Sequence, residues 1–210
     1  MQVRFDLKEW DRKARALGAT SKQIPYALAT AMTWTMRETV EAEKKALSTS
    51  LDRPTPFTQQ GVGFTPANKG QLRFEVFIKD RQAAYLGINV AGGTRSPVGA
   101  KVLATPFIKR NSYGNVGRGA LKALMGDRRR VFSGKPKGKN RPAGIWRRTN
   151  ENTTIRLLAL YSPSMKYIVR YDFPAIFEAT VRSTLPDKVT EAVMHVMARF
   201  AMHEGTKGPG

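Results

Sequence analysis

The sequence predicts an α+β protein: long N- and C-terminal helices packed on a small antiparallel sheet, with extended Pro/Gly-rich loops between them. Three observations lead there. Residues 21–47 and 174–204 carry apolar side chains at helical spacing, residues 72–79 and 143–161 contain short β-prone runs, and the stretches between are dense in Gly, Pro and Arg. With 210 residues and 41% apolar content, the expected organisation is a single domain over residues 1–204. Loop excursions are expected at 52–70 and 91–142, and a flexible tail at 205–210.

The first expected helix is short. Asp6 is placed to cap it, Glu9 completes a capping box, Leu7, Trp10, Ala14 and Leu17 recur at helical spacing, and Gly18 ends it. Ser21 is the expected cap of the next helix, with Pro25 in its first turn, where a missing amide proton costs least. Ile24, Leu28, Ala31, Thr35 and Val40 then mark a stripe running towards Leu47. At 1.5 Å per residue that helix is about 40 Å long. Ala27, Ala29, Ala31 and Thr33 give its early turns a small-residue surface on which another element can approach closely.

Residues 52–70, with Pro54, Pro56, Gly61, Gly63, Pro66 and Gly70, are expected to be irregular. Leu72–Lys79 predicts a strand and Tyr85–Val90 a short partner, whereas Val116–Met125 predicts a helix. Ala143–Arg148 and Thr154–Tyr161, separated by the polar turn Asn150-Glu151-Asn152, predict a hairpin that joins Leu72–Lys79 in one sheet. In the final helix Phe177, Val181, Leu185, Val189, Val193 and Met197 recur at a spacing of four, with Val196 and Phe200 widening the stripe. Pro186 inside it predicts a kink or two abutting helices.

The charge balance, 36 Lys and Arg against 16 Asp and Glu for a net +20, favours an anionic partner such as nucleic acid, a membrane surface or an acidic protein ring. It is concentrated in residues 118–148. Arg118, Lys122, Arg128, Arg129, Arg130, Lys135, Lys137, Lys139, Arg141, Arg147 and Arg148 there face one acid, Asp127. These eleven are the candidate contacts with a protein partner or with DNA, and Tyr113, Phe132 and Trp146 are the candidate stacking groups. Trp10, Trp34 and Trp146 are otherwise expected as packing anchors.

Other chemistry finds little footing. The chain has no cysteine, which excludes disulfides, thiolate metal sites and thiol nucleophiles. His195 and His203 lie eight residues apart, too far for a metal pair at i,i+4, so no metal is expected. Ser133–Lys139 lacks the Walker spacing and its Gly-Lys-Ser/Thr ending, and no cofactor is expected. Glu75, Asp80, Glu151, Asp172, Glu178 and Asp187 are scattered, with no spacing that pairs two of them in a cleft, so no catalytic residue is assigned and no enzyme is expected. The N-terminus lacks the apolar run of a signal peptide, and no segment reaches the roughly 18 apolar residues of a membrane span. A protein soluble when made, with no membrane partner, is expected.

Several segments resemble the minor tail protein Z or tail-completion proteins of tailed bacteriophages and prophages. They are Ile24-Pro25-Tyr26-Ala27-Leu28-Ala29 with the alanine-rich helix after it, Pro54-Thr55-Pro56-Phe57-Thr58, Leu157–Pro163, Tyr171-Asp172-Phe173 and the terminal helix from Pro174. The resemblance implies a virion protein of the tail or neck, assembled in the host cytoplasm, that completes the tail or joins it to the head. It implies contacts with the tail terminator, tube or connector and a homo-oligomeric ring, for which six copies fit the usual tail geometry. A non-specific DNA-binding module is the alternative, and DNA passing through such a ring would be touched without regard to sequence.

Overall fold

The computed structural model describes residues 7–96, 102–105, 107–137, 140–149 and 154–205. In chain order the elements are α1 (Leu7–Ala16), α2 (Ile24–Ser50), α3 (Pro56–Gln59), β1 (Val62–Thr65), β2 (Glu75–Ile78), α4 (Asp80–Ala91), β3 (Gly93–Arg95) and β4 (Val102–Ala104). They continue with α5 (Ala120–Gly126), β5 (Val131–Gly134), β6 (Gly144–Thr149), β7 (Thr154–Ser162), β8 (Met165–Tyr167) and α6 (Phe173–Gly205). The fold is α+β, with long N- and C-terminal helices and small antiparallel sheets. The chain forms two compact units: unit 1 comprises Met1–Leu51, Pro56–Leu86 and Tyr171–Gly210, and unit 2 comprises Asp52–Thr55 and Gly87–Arg170.

Unit 1 is built on α2 and α6. Along α2 the buried positions Ile24, Leu28, Ala31, Thr35, Thr39, Glu43 and Leu47 step by three or four, the signature of one helical face, and Ala27, Met32, Met36 and Val40 widen it. On α6 the expected stripe is buried from Phe177 through Val181, Leu185, Val189 and Val193, with Ala192 and Val196 beside it. Each large aliphatic side chain so buried contributes about 1.5–3 kcal/mol before ordering costs. Ala27 and Ala31 are sealed from solvent, as close approach of a neighbouring element requires. Lys188 spans the helices, its Nζ lying 2.9 Å from Glu38 and 3.0 Å from Glu191, and its pairing with Glu38 first and Glu191 second raises its pKa.

The structure departs from several local expectations. The turn before α2 is organised by Thr20 and Gln23, not by a Ser21 cap: the Thr20 amide donates to Gln23 Oε1 (2.8 Å), and the Ile24 amide donates to the Thr20 carbonyl. Ser21 Oγ instead accepts from Arg15, which also pairs with Asp11. α6 is a single helix with Pro186 inside it, not two abutting ones. Asp6, the polar turn at Asn150–Asn152 and residues 206–210 lie outside the described residues, while Gly205 closes α6.

Residues 52–70 are more regular than their Pro and Gly content suggests, for they contain α3 and β1. β1 pairs antiparallel with β2 as a separate two-stranded sheet, so the expected joint sheet of 72–79 with the later hairpin does not form. Gly63 makes the pairing possible. A Cβ there would lie 3.0 Å from the ring of Phe77, its cross-strand partner. Tyr85–Val90, expected as a strand, belongs to helix α4, which buries Gln82 and Leu86 four residues apart. Gly92, at φ +65°, ends that helix by donating its amide to the Ile88 carbonyl (2.9 Å).

In unit 2, residues 91–142 are likewise not a bare loop but contain β3, β4, α5 and β5. The main sheet has the order β4-β7-β6-β5, all antiparallel, and β3 pairs with β8 in a second sheet. The predicted hairpin is β6–β7. Its register slips once: Ile145 faces Ala159 but Trp146 faces Leu157, leaving Leu158 as the extra residue of a bulge. Ile108, Val131, Ile145, Leu158 and Ala159 form the core of this unit, with Leu121, Leu124 and Met125 packed against it.

Candidate functional site

The two units share the charge very unequally. Unit 2 holds 19 Lys and Arg against three Asp and Glu, a formal +16, leaving 17 against 13, or +4, for unit 1. So large a like charge on a unit of this size is repelled by itself and attracts polyanions.

Within unit 2 the local chemistry sorts the expected contacts. Asp127 ends α5 and turns the chain into β5: its carbonyl accepts from the Val131 amide (2.8 Å) and its Oδ1 from the Arg130 amide (3.2 Å). The only acid of residues 118–148 is thus tied to the backbone, and the side chains of Arg128, Arg129 and Arg130 are exposed around it. Arg118, Lys122, Lys135, Lys137 and Arg141 are also exposed, on segments flanking α5, β5 and β6. Lys139 lies outside the described residues.

Arg148 has a different task. Half-buried, it donates to the Arg129 carbonyl (3.0 Å) and lies 4.5 Å from the centroid of the Phe132 ring, holding the turn in place. Phe132 is therefore covered on one side, and Trp146 is 7% exposed with its Nε1 buried, so neither offers the open stacking surface expected of it. Tyr113 is exposed, in a loop organised by Asn111 Oδ1, which accepts from the Tyr113 and Asn115 amides. Arg110 is likewise occupied, donating to the carbonyls of Gly114 and Thr105.

Arg147 sits directly opposite Val131 on β5 and Arg156 on β7. Side chains opposite one another share a sheet face with Cβ atoms about 5 Å apart, and like charges so placed are destabilising. Among the described residues no carboxylate lies within ion-pairing distance of either arginine. The Arg156 guanidinium is 5.8 Å from the centroid of the Phe107 ring, and Phe107 is 54% exposed. Beside them opens a groove of about 570 Å³ lined by the apolar Ile108, Leu124 and Val131 and by the polar Lys109, Arg147 and Asp127, whose Oδ1 accepts from the Arg130 amide. Sequence reasoning missed Phe107, Lys109 and Arg156 as a group. The β6–β7 register unites Arg156 with Arg147, and the shared groove unites Phe107 and Lys109 with it.

A second group the sequence did not point to lies in unit 1. Glu43 is fully buried on the inner face of α2, where its Oε2 accepts a 2.6 Å hydrogen bond from the Tyr171 hydroxyl and its Oε1 has no partner. Burial pushes the Glu43 carboxyl up to about 7 against the pull of the Tyr171 hydrogen bond, with Asp172 adding to the rise. Tyr171 is raised too, by burial first and then by Glu43, and stays a donor. The signal was present in the sequence: Glu43 interrupts the apolar stripe between Val40 and Leu47.

The remaining acids and histidines are distributed. Glu75 pairs with Arg73 and Glu178 with Arg182, while Asp172 accepts from the Ala175 amide at the start of α6. His195 is exposed and packs edge-on against Trp34, 5.6 Å between centroids. Among the described residues no three His, Cys, Asp or Glu gather as a metal site, and no helix is long and apolar enough to cross a membrane. The chain matches no known family model, and no curated protein or solved structure is significantly similar to it.

Proposed function

We propose that this chain is a structural subunit of a tailed-bacteriophage virion, docking on the head-proximal end of the tail to complete it or to join it to the head. The observation that supports this is where the phage-like segments fall. Ile24–Ala29 and the alanine-rich run after it form the first half of α2, and Tyr171–Phe173 with the terminal helix complete the same buried core. Leu157–Pro163 supplies most of β7, an inner strand of the main sheet. The phage-like segments are thus core-forming ones, which suits a family whose role is assembly. An α2 helix of 27 residues, about 40 Å long, suits a subunit that spans the boundary between copies in a ring.

On this proposal the partners are the tail terminator, tube or connector and further copies of the chain in a ring, for which six copies fit the usual tail geometry. The test is deletion of the reading frame from its phage or prophage genome, followed by electron microscopy of the lysate. Separate heads and unfinished tails, converted to joined particles by adding the purified protein, are expected. Normal joined virions without the protein would overturn the proposal.

A further inference from the structure

We propose that unit 2 binds an unpaired nucleic-acid strand across its charged sheet face, one base entering the groove beside Phe107 and the flanking phosphates meeting Lys109, Arg147 and Arg156. The inference stands on the charge and geometry of unit 2 and goes beyond the assembly role.

The opposed arginines are the first ground. Arg147 and Arg156 face each other across β6 and β7, with no carboxylate of the described residues in reach. An arrangement that weakens the sheet by itself is relieved when an anion bridges the pair, and a phosphodiester presents two oxygens to two guanidinium groups in the geometry they favour. The second ground is the neighbouring apolar surface. Phe107 is half exposed and carries the Arg156 guanidinium near its ring, and the groove beside it is lined by apolar Ile108, Leu124 and Val131 with two cations, Lys109 and Arg147, against one acid, Asp127. Aromatic rings next to cationic tracks are how single strands are held, because every base has a face to stack.

These features separate the strand from other polyanions. An acidic peptide would satisfy the arginines but has no general use for Phe107 or the apolar lining of the groove. A duplex would satisfy them as well, yet its bases are stacked within it, and extruding one costs unpairing energy. The unit's formal +16 favours a polymer over a free nucleotide, since counterion release grows with each phosphate contacted.

The experiment uses the full chain and a fluorescent oligothymidylate of about 20 nucleotides, followed by anisotropy at about 50 and about 200 mM salt. Two phosphates, one bridging Arg147 and Arg156 and one at Lys109, predict affinity about sevenfold weaker at the higher salt. Arg147→Gln with Arg156→Gln is expected to weaken binding tenfold or more while leaving the melting temperature unchanged or higher, because a like-charge pair is removed. Phe107→Ala is expected to weaken binding about tenfold and Phe107→Trp to retain it. Lys109→Gln, at an exposed position, checks the same margin should either change disturb folding. The proposal is overturned if the oligonucleotide fails to bind at the lower salt, or if none of these changes weakens it. It is equally overturned if oligoglutamate or thymidine monophosphate competes as well as the strand, or if a blunt duplex binds as tightly and is indifferent to Phe107→Ala.

Discussion

Replacing Glu43 by Gln should change how the stability of unit 1 depends on pH, and the size of the change follows from its surroundings. Glu43 is sealed between helices, holds one hydrogen bond from Tyr171 and leaves Oε1 without a partner. Its carboxyl is raised from an ordinary 4.5 to about 7 in the folded protein, so folding favours the protonated form. The stabilisation is therefore fully present below about 4.5, where both states are protonated, and is lost as pH rises through about 7, where the folded protein must bury a carboxylate. A shift of this size corresponds to about 3 kcal/mol, at about 1.4 kcal/mol per pH unit. Gln at this position keeps an oxygen to accept from Tyr171 and cannot ionise. Urea unfolding followed by helix ellipticity, which α2 and α6 dominate, should show wild type losing about 3 kcal/mol relative to Glu43→Gln between pH 4.5 and 8. Comparing the two proteins cancels every other titration they share. Parallel pH profiles would refute the reasoning and mean that Glu43 is hydrated or re-paired in solution.

Other changes test the remaining parts of the structure. Val189→Asp places an unpaired charge at a 1% exposed position of α6 and should cost about 4 kcal/mol, read by urea unfolding; a cost under about 1 kcal/mol would mean the buried face is misassigned. Gly144→Ala puts a Cβ 2.2 Å from the Ala159 carbonyl oxygen, so β6 must move from β7 and unit 2 should lose about 3 kcal/mol in thermal unfolding. Neutralising Arg128, Arg129 and Arg130 together to Gln should alter stability by less than about 0.5 kcal/mol, since their turn is held by backbone groups, but should lower incorporation into particles measured by sedimentation. Added salt should raise the unfolding midpoint of unit 2 by screening its +16, followed through Trp146 fluorescence in a background where Trp10 and Trp34 are Phe. A midpoint unmoved by salt would mean the charges are already compensated.

The elements legible in the sequence were those whose apolar pattern runs long enough to have a period. α2 and α6 announce themselves over many turns, and the β6–β7 hairpin by two β-prone runs flanking a polar break. Shorter elements escaped because tertiary contacts, not their own pattern, decide them. Tyr85–Val90 alternates like a strand, yet Gln82 and Leu86 are spaced for a helix and Gly92 stops it. β1 was hidden because Gly63 breaks its pattern, and the space that glycine leaves is occupied by Phe77 from the paired strand. The bulge at Leu158 depends on β6 and could not be read from β7 alone.

The charged site was legible only as an amount of charge, because a linear count treats each arginine alike. The fold divides them by what they touch. Arg148 and Arg110 are bound to carbonyls and support turns, while Arg128–Arg130 project freely because Asp127 is engaged with the backbone. Arg147 acquires its significance from Arg156, nine residues away in sequence and directly opposite in the sheet. A pairing that costs stability, beside an aromatic ring left half exposed, is the kind of local conflict expected at a functional site. Structural arginines lose their value when mutated through the turn they hold, whereas Arg147 and Arg156 should lose theirs only when an anion is present, and that difference separates the two classes in one set of variants.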